Sequence, residues 1–308
     1  MRVAETRRLM GVPWTVTIHA TDESRGRAAL AAAFDEIERL ERILSDYDPR
    51  SELSRLSAAA PTSTPIPVGD DVWRVLVRAA EITAASDGAF DVTVGPLTTL
   101  WRQARRSERL PRPDKLAAAR AAVGPGGIVL DPLRHGVTLV RPGMRIDLGG
   151  IGMGYAADRA LEVLARHGID AALIDASGDV VASGPPPGAA GWRVQVNGFG
   201  GDEHLDTVLI SHAAVTTSGD ARQGVEIEGR RYSHIVDPRT GLGVEGSAAV
   251  TVIAPDATTA DAVATAASVL GPDRGFAVIA RFPGCSARFL WRDERGVQSR
   301  TTPEWPTQ

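Results

Sequence analysis

Residues 172–183 read ALIDASGDVVAS. Two short apolar runs flank a Ser-Gly pair. Five more of the same kind follow: WRVQVN (192–197), TVLIS (207–211), AVTTS (214–218), GVEIE (224–228) and AAVTVIA (248–254). They are rich in β-branched residues and set apart by turn formers, the pattern of strands rather than helices. No regular βαβ alternation links them, which argues against a doubly wound parallel sheet. The predicted class is α+β: mixed, with largely antiparallel sheets and flanking helices.

The flanking segments fit this class. PWTVTIHA (13–20) sets Trp14, Val16 and Ile18 against Thr15, Thr17 and His19, a period of two that predicts a strand with one buried face. A helix is predicted next, capped by Asp22 or Ser24, with Ala29, Leu30, Ala33, Phe34, Ile37 and Leu40 at helical spacing. A polar, Pro-rich connection over 57–69 leads to Asp70, the predicted cap of a helix bearing Val72, Trp73, Leu76, Val77 and Ala80. The charged stretch 102–115, with Pro111 and Pro113, reads as an exposed excursion. A helix over 154–166 should stop at Gly168. A last helix should begin near Asp256, followed by two strands, FAVIA (276–280) and ARFLW (287–291).

A chain of 308 residues is long enough for one large domain or two intertwined lobes. Its 34 basic and 38 acidic residues are interspersed and leave a formal charge of −4, which argues against a nucleic-acid surface. One cysteine, Cys285, rules out an internal disulfide framework. No apolar run is long enough to span a bilayer. The opening MRVAETRRLMGVPW has no apolar signal-peptide region and no cysteine to lipidate, so the expectation is a soluble, cytoplasmic protein.

Four stretches can carry chemistry. In DLGGIGMGYAAD (147–158) four glycines open a helix, which allows close approach of a ligand and favours an anion; a tight helix entry explains them equally well. The spacing is not that of a dinucleotide fingerprint. In DATTADAVATAA (256–267), Asp261 and Thr265 stand four apart on one helix face among alanines. Such oxygens suit a hard cation such as Mg²⁺, or form a solvated acid beside a threonine bonded back to its own helix. SDGAFDVTVGPL (86–97) and TTSGDARQ (216–223) read singly as turn chemistry.

Taken together and in order, these stretches resemble the ApbE family of FAD:protein FMN transferases. The resemblance runs through MGVPWTV (10–16), LSDYDPRSELSRL (44–56), GAFDVTVGPL (88–97), IDLGGIGMGYAADRAL (146–161), IDASGDVVASG (174–184), AVTTSGD (214–220), YSHIVDPRTG (232–241) and VTVIAPDATTADAVATAASVLGP (250–272). It implies one T-fold-like domain over residues 1–308, built as a unit or as two intertwined lobes with the FAD site between them. The implied activity is Mg²⁺-dependent transfer of FMN from FAD to a threonine or serine of an acceptor flavoprotein, releasing AMP. FAD binding without transfer, or FAD hydrolysis to FMN and AMP, is the alternative.

Carried over by position, the resemblance makes Asp261 and Thr265 side-chain ligands of Mg²⁺ and gives the metal the backbone oxygen of Gly150. Met10, Tyr47, Ala89, Phe90, Asp91, Asp147, Met153 and Ile235 correspond to positions lining FAD. His234 corresponds to the histidine that activates the acceptor hydroxyl, with Asp237 expected to orient it. An imidazole titrates near neutrality, which suits that work. His19, His135, His167, His204 and His212 receive no role. Three departures stand out: Met153 where the family commonly has lysine, Ser57 where it has asparagine, and Asp175-Ala176-Ser177-Gly178-Asp179 for its N-x-G-G-D block.

Overall fold

The computed structural model describes residues 1–196, 206–219, 224–246 and 248–306. Strands β1 (Arg2–Leu9) and β2 (Val12–His19) form a hairpin, closed by Met10 and Gly11 at φ 49° and 81°. Both central residues at positive φ match the twist of paired strands. Helix α1 (Glu23–Leu44) starts where the Asp22 carboxylate accepts from Arg25 N, and it buries the six residues expected of it. Next come α2 (Glu52–Ala58), β3 (Ile66–Pro67), α3 (Asp70–Ala85), α4 (Gly95–Ser107), α5 (Pro113–Ala121), β4 (Ile128–Asp131), β5 (Gly136–Leu139) and α6 (Gly152–Arg166). The strand-rich half contains β6 (Ala171–Ala176), β7 (Asp179–Ala182), β8 (Trp192–Val196), β9 (Asp206–Ile210), β10 (Ala213–Gly219), β11 (Val225–Ile227), β12 (Arg230–Val236), β13 (Gly243–Glu245) and β14 (Ala248–Ala254). Helix α7 (Ala257–Ile279), β15 (Ser286–Asp293) and β16 (Gly296–Thr301) complete the chain.

Eight strands make the central sheet, in the order β1-β2-β6-β7-β10-β14-β15-β16. All its pairings are antiparallel, so the predicted α+β class holds. Alternation along each strand gives the sheet two different faces. Trp14, Val16, Ile18, Val181, Ala214 and Val250 point into the main core under α1, α6 and α7. Val180 and Val215 point the other way, against Trp192, Val194 and Val208 of the β8–β9 ribbon and Trp305. A separate cluster joins Leu97 and Trp101 of α4 and Ala119 of α5 to Ile227, Tyr232 and Val236 of the β11–β12–β13 sheet. Among the described residues no helix is long and apolar enough to cross a membrane.

Several local expectations are corrected. The stretch 102–115 is largely exposed, as expected, but much of it is helical: α4 extends into it as far as Ser107 with Ala104 buried, and α5 starts at Pro113. Gly69 caps α3 in place of Asp70, which is its first residue; Val72, Val75, Leu76, Ala79 and Ile82 are buried while Ala80 is exposed. FAVIA is helical. Gly271, whose backbone is not helical (φ 74°), and Pro272 break α7 at a kink, and a second helical segment carries on to Ile279.

Helices α6 and α7 are held together at two points. The Asp158 carboxylate accepts from Ala257 N and Thr258 N, each at 2.8 Å, and from the Thr258 hydroxyl, capping α7 from the neighbouring helix. Gly154 packs so closely that a Cβ there would lie 2.2 Å from Ala257 O. Gly154→Ala is therefore expected to cost about 3 kcal/mol, the upper range for overpacking against backbone that cannot yield. The urea midpoint measures it, and an unchanged midpoint would show that the helices part freely.

Candidate active site

A cavity of about 1220 Å³ opens between the central sheet with α6 and α7 on one side and α4 with β11 and β12 on the other. Of the residues singled out in the sequence, Tyr47, Ala89, Phe90, Asp91, Asp147, Gly150, Met153, His234, Ile235, Asp261 and Thr265 line it. Met10 does not. It sits in the β1–β2 turn and packs on the main core, and Val12 from the same hairpin reaches the cavity wall instead.

At one end lie Asp261 and Thr265, one turn apart on α7. Asp261 is 4 % exposed, and its Oδ2 accepts from Gly154 N at 3.3 Å. Gly150 lies against Thr265: a Cβ on it would meet Thr265 Oγ1 at 2.9 Å. Thr265 Oγ1 in turn is 3.4 Å from Ser218 Oγ of β10. Burial, and then the charge of Asp179, push the Asp261 carboxyl well above the usual range. Burial pushes Asp179 up to about 7, Asp175 adds to the rise, and the Thr216 hydroxyl tempers it. Among the described residues no basic side chain offsets either acid. Buried carboxylates without a cation are costly, and the donors here are all hard oxygens, so the residues present fit Mg²⁺. No three His, Cys, Asp or Glu side chains among the described residues form a closed metal cage.

On the same cavity wall, Asp147 anchors an ion-pair network. Its Oδ2 accepts from Thr98 Oγ1 (2.6 Å) and from Arg102 Nη2 (3.0 Å), and its Oδ1 accepts from Gly149 N (2.8 Å). Arg102 also donates to Asp46 (3.0 Å), and its guanidinium lies 4.6 Å from the centroid of the Tyr47 ring. That ring is 73 % exposed, an aromatic surface held by a cation from one side. Asp91 is 5 % exposed. Its Oδ1 accepts from Thr93 N, whereas its Oδ2 is buried with no hydrogen-bond partner among the described residues, and burial raises its pKa. An acceptor or, when protonated, a donor is thus left over on the cavity wall.

His234 is half-buried on β12, fixed by the bond from Trp101 Nε1 to Ser233 O at 2.9 Å. It belongs to a strand that leads into the Asp-Pro turn. Asp237 does not serve the ring as expected: its two oxygens accept from Arg239 N, Nε and Nη2, which locks the turn over 237–241.

Sequence reasoning missed Arg102, Arg105 and Arg106, which line the cavity from α4. Their i, i+3, i+4 spacing on a helix begun by Gly95-Pro96 was the available signal. Ser57 stands behind the wall, its Oγ accepting from Ile146 N at 3.0 Å, one residue before Asp147. Asp220, His204 and the end of TTSGDARQ lie outside the described residues.

Known proteins share this architecture. The chain is 34% identical over 290 residues, 87% of its length and 78% of the relative's, to the FAD:protein FMN transferase of Treponema pallidum (strain Nichols). Its structure superposes on the apo flavinyl transferase ApbE of Pseudomonas stutzeri with a TM-score of 0.87 at 31% identity, covering 98% of this chain and 95% of that one. For the flavin transferase ApbE of Vibrio cholerae the TM-score is 0.89 at 26% identity, with 99% and 98% covered. The sequence model of the ApbE family matches residues 10–289. That span takes in every wall of the cavity, and the chain belongs to the ApbE family.

Proposed function

We propose that this chain, a flavinyltransferase by family, transfers FMN from FAD to a threonine or serine hydroxyl of an acceptor flavoprotein, with Mg²⁺ and release of AMP. One observation carries the reading: oxygen donors suited to a divalent cation and a histidine suited to a base line the same cavity, with Asp91 and Asp147 beside them. Residues 1–308 act here as one domain of two intertwined lobes, with FAD lying between them.

Asp261, Thr265 and the Gly150 carbonyl would hold Mg²⁺, which when bound offsets charge on the pyrophosphate and on departing AMP. Tyr47, Ala89, Phe90, Asp91, Asp147, Met153 and Ile235 hold the donor, with Asp147 kept in place by Arg102, Thr98 and Gly149 N. His234 takes the proton of the acceptor hydroxyl. The oxygen then bonds to the FMN-side phosphorus, and the bond to the AMP oxygen breaks. The residues contribute mainly position and charge.

The test mixes the protein with FAD, Mg²⁺ and a flavin-acceptor domain and looks for a fluorescent acceptor band and free AMP. Both products are expected. AMP without labelling would mark a hydrolase, and neither product would mark a binding protein.

Met153 is half-buried and packs on the main core while lining the cavity. Met153→Lys would put an ammonium where the wall is fitted to a thioether, and burial of a charge not matched by a built partner is unfavourable. FAD affinity is expected to fall several-fold in a binding titration. A tenfold gain would show that the site still accommodates a cation.

A further inference from the structure

We infer that Asp179 is a further oxygen ligand of the divalent cation, facing Asp261 from the sheet side of the cavity. The inference rests on the proposed function for the presence of the cation, and it adds a residue from the other wall.

The sheet register places it there. Val180 of β7 pairs with Val215 of β10, so the next residues, Asp179 and Thr216, come side by side. Val180 and Val215 point toward the β8–β9 ribbon, whereas Val181 and Ala214 point into the main core. By alternation Asp179, Thr216 and Ser218 share the face that α7 covers. The contact between Ser218 Oγ and Thr265 Oγ1 at 3.4 Å fixes how helix and strand meet. One helical turn back from Thr265, about 6 Å, lies Asp261. Two strand residues back from Ser218, about 7 Å, lie Thr216 and its neighbour Asp179. The two steps match, and all five residues line the cavity.

The backbone aims the carboxylate. Ser177 and Gly178, at φ 60° and 107°, make the tight turn before β7, and Asp175 Oδ1 accepts from Gly178 N at 2.8 Å. Beside Asp179, Thr216 is 2 % exposed, and its hydroxyl lies against the Asp179 carboxyl. Two facing carboxylates with no basic partner among the described residues, flanked by the hydroxyls of Thr216, Ser218 and Thr265 on the same cavity wall, are the arrangement a hard cation completes.

The test is a Mg²⁺ titration of the full chain, read by calorimetry and by the shift in melting temperature. Asp179→Asn, which keeps the shape, is expected to weaken Mg²⁺ binding at least about tenfold. Asp179→Cys, a soft ligand at the same place, is expected to lose Mg²⁺ and to gain Cd²⁺ relative to the unaltered chain, which also carries Cys285. A residue that only shapes the wall would not produce that exchange of preference. Mg²⁺ affinity within twofold of the unaltered protein in Asp179→Asn, with binding lost in Asp261→Asn, would overturn the role of Asp179 and leave the proposed function standing. No Mg²⁺ binding by the unaltered chain would overturn both. If Asp179→Asn fails to fold, the Cys variant decides: no gain of Cd²⁺ binding overturns the inference.

Discussion

Asp261→Ala is expected to lower Mg²⁺-dependent turnover of FAD by about 100- to 1000-fold, the several kcal/mol that a positioned metal contributes to phosphoryl chemistry. The fold should survive. Asp261 sits inside α7 among alanines, where alanine has the best helix propensity, and the substitution removes a buried carboxyl that no basic side chain among the described residues offsets. The lost bond from Gly154 N is long, at 3.3 Å, and Gly154 stays wedged against Ala257 O. Melting without Mg²⁺ should therefore change little, while the upward shift produced by saturating Mg²⁺ in the unaltered protein should vanish. AMP release measured against Mg²⁺ concentration, beside those melting curves, checks both statements. Full turnover in the variant would remove Asp261 from the metal site.

The sequence made the interior of this fold easier to read than its edges. β2 and α1 were legible because burial acts on one face only: Trp14, Val16 and Ile18 alternate, and Ala29 to Leu40 recur at helical spacing. β1 was not, because an edge strand with half-exposed residues on one side and exposed ones on the other, RVAETRRL, shows no apolar period. β12 was hidden for a related reason. It lies in a small sheet, and its only strong signal, the Asp-Pro turn, comes after it. FAVIA was misread since five apolar residues fit a buried strand or a buried helix turn alike, and only the packing of Phe276 against Phe289 and the continued helix decide. In the cavity, the residues carried by the long motifs lie on its wall apart from Met10, which shares a hairpin with a residue that does. The cations of α4 were lost because charge in a Pro-flanked stretch reads as solvent exposure. Arg102 reaches the cavity through its pairing with Asp46 and Asp147, a three-dimensional fact that no spacing announces.

Removing the imidazole should separate chemistry from binding. In His234→Ala the side chains of Tyr47, Asp91 and Asp147 remain on the wall, and Asp147 keeps its bonds to Thr98, Arg102 and Gly149. The strand should hold its place, because the bond from Trp101 Nε1 goes to the Ser233 carbonyl and not to the histidine ring. FAD affinity is therefore expected to stay within a few-fold of that of the unaltered protein. The rate of FMN attachment should fall by about 100- to 10,000-fold, the usual contribution of a positioned general base. What remains should rise with pH across the range where the unaltered enzyme has levelled off, since hydroxide takes over part of the missing proton transfer. FMN attachment to an acceptor at several pH values, run beside an FAD titration, measures both effects. Asp237 and Asp220 are the next candidates for the base. Asp237 is ill placed for it, with both oxygens held by Arg239, and Asp220 lies outside the described residues. Joint loss of FAD binding and transfer in His234→Ala would make the ring a structural element of the cavity, and Asp237→Asn and Asp220→Asn would then be the variants to compare for a missing base.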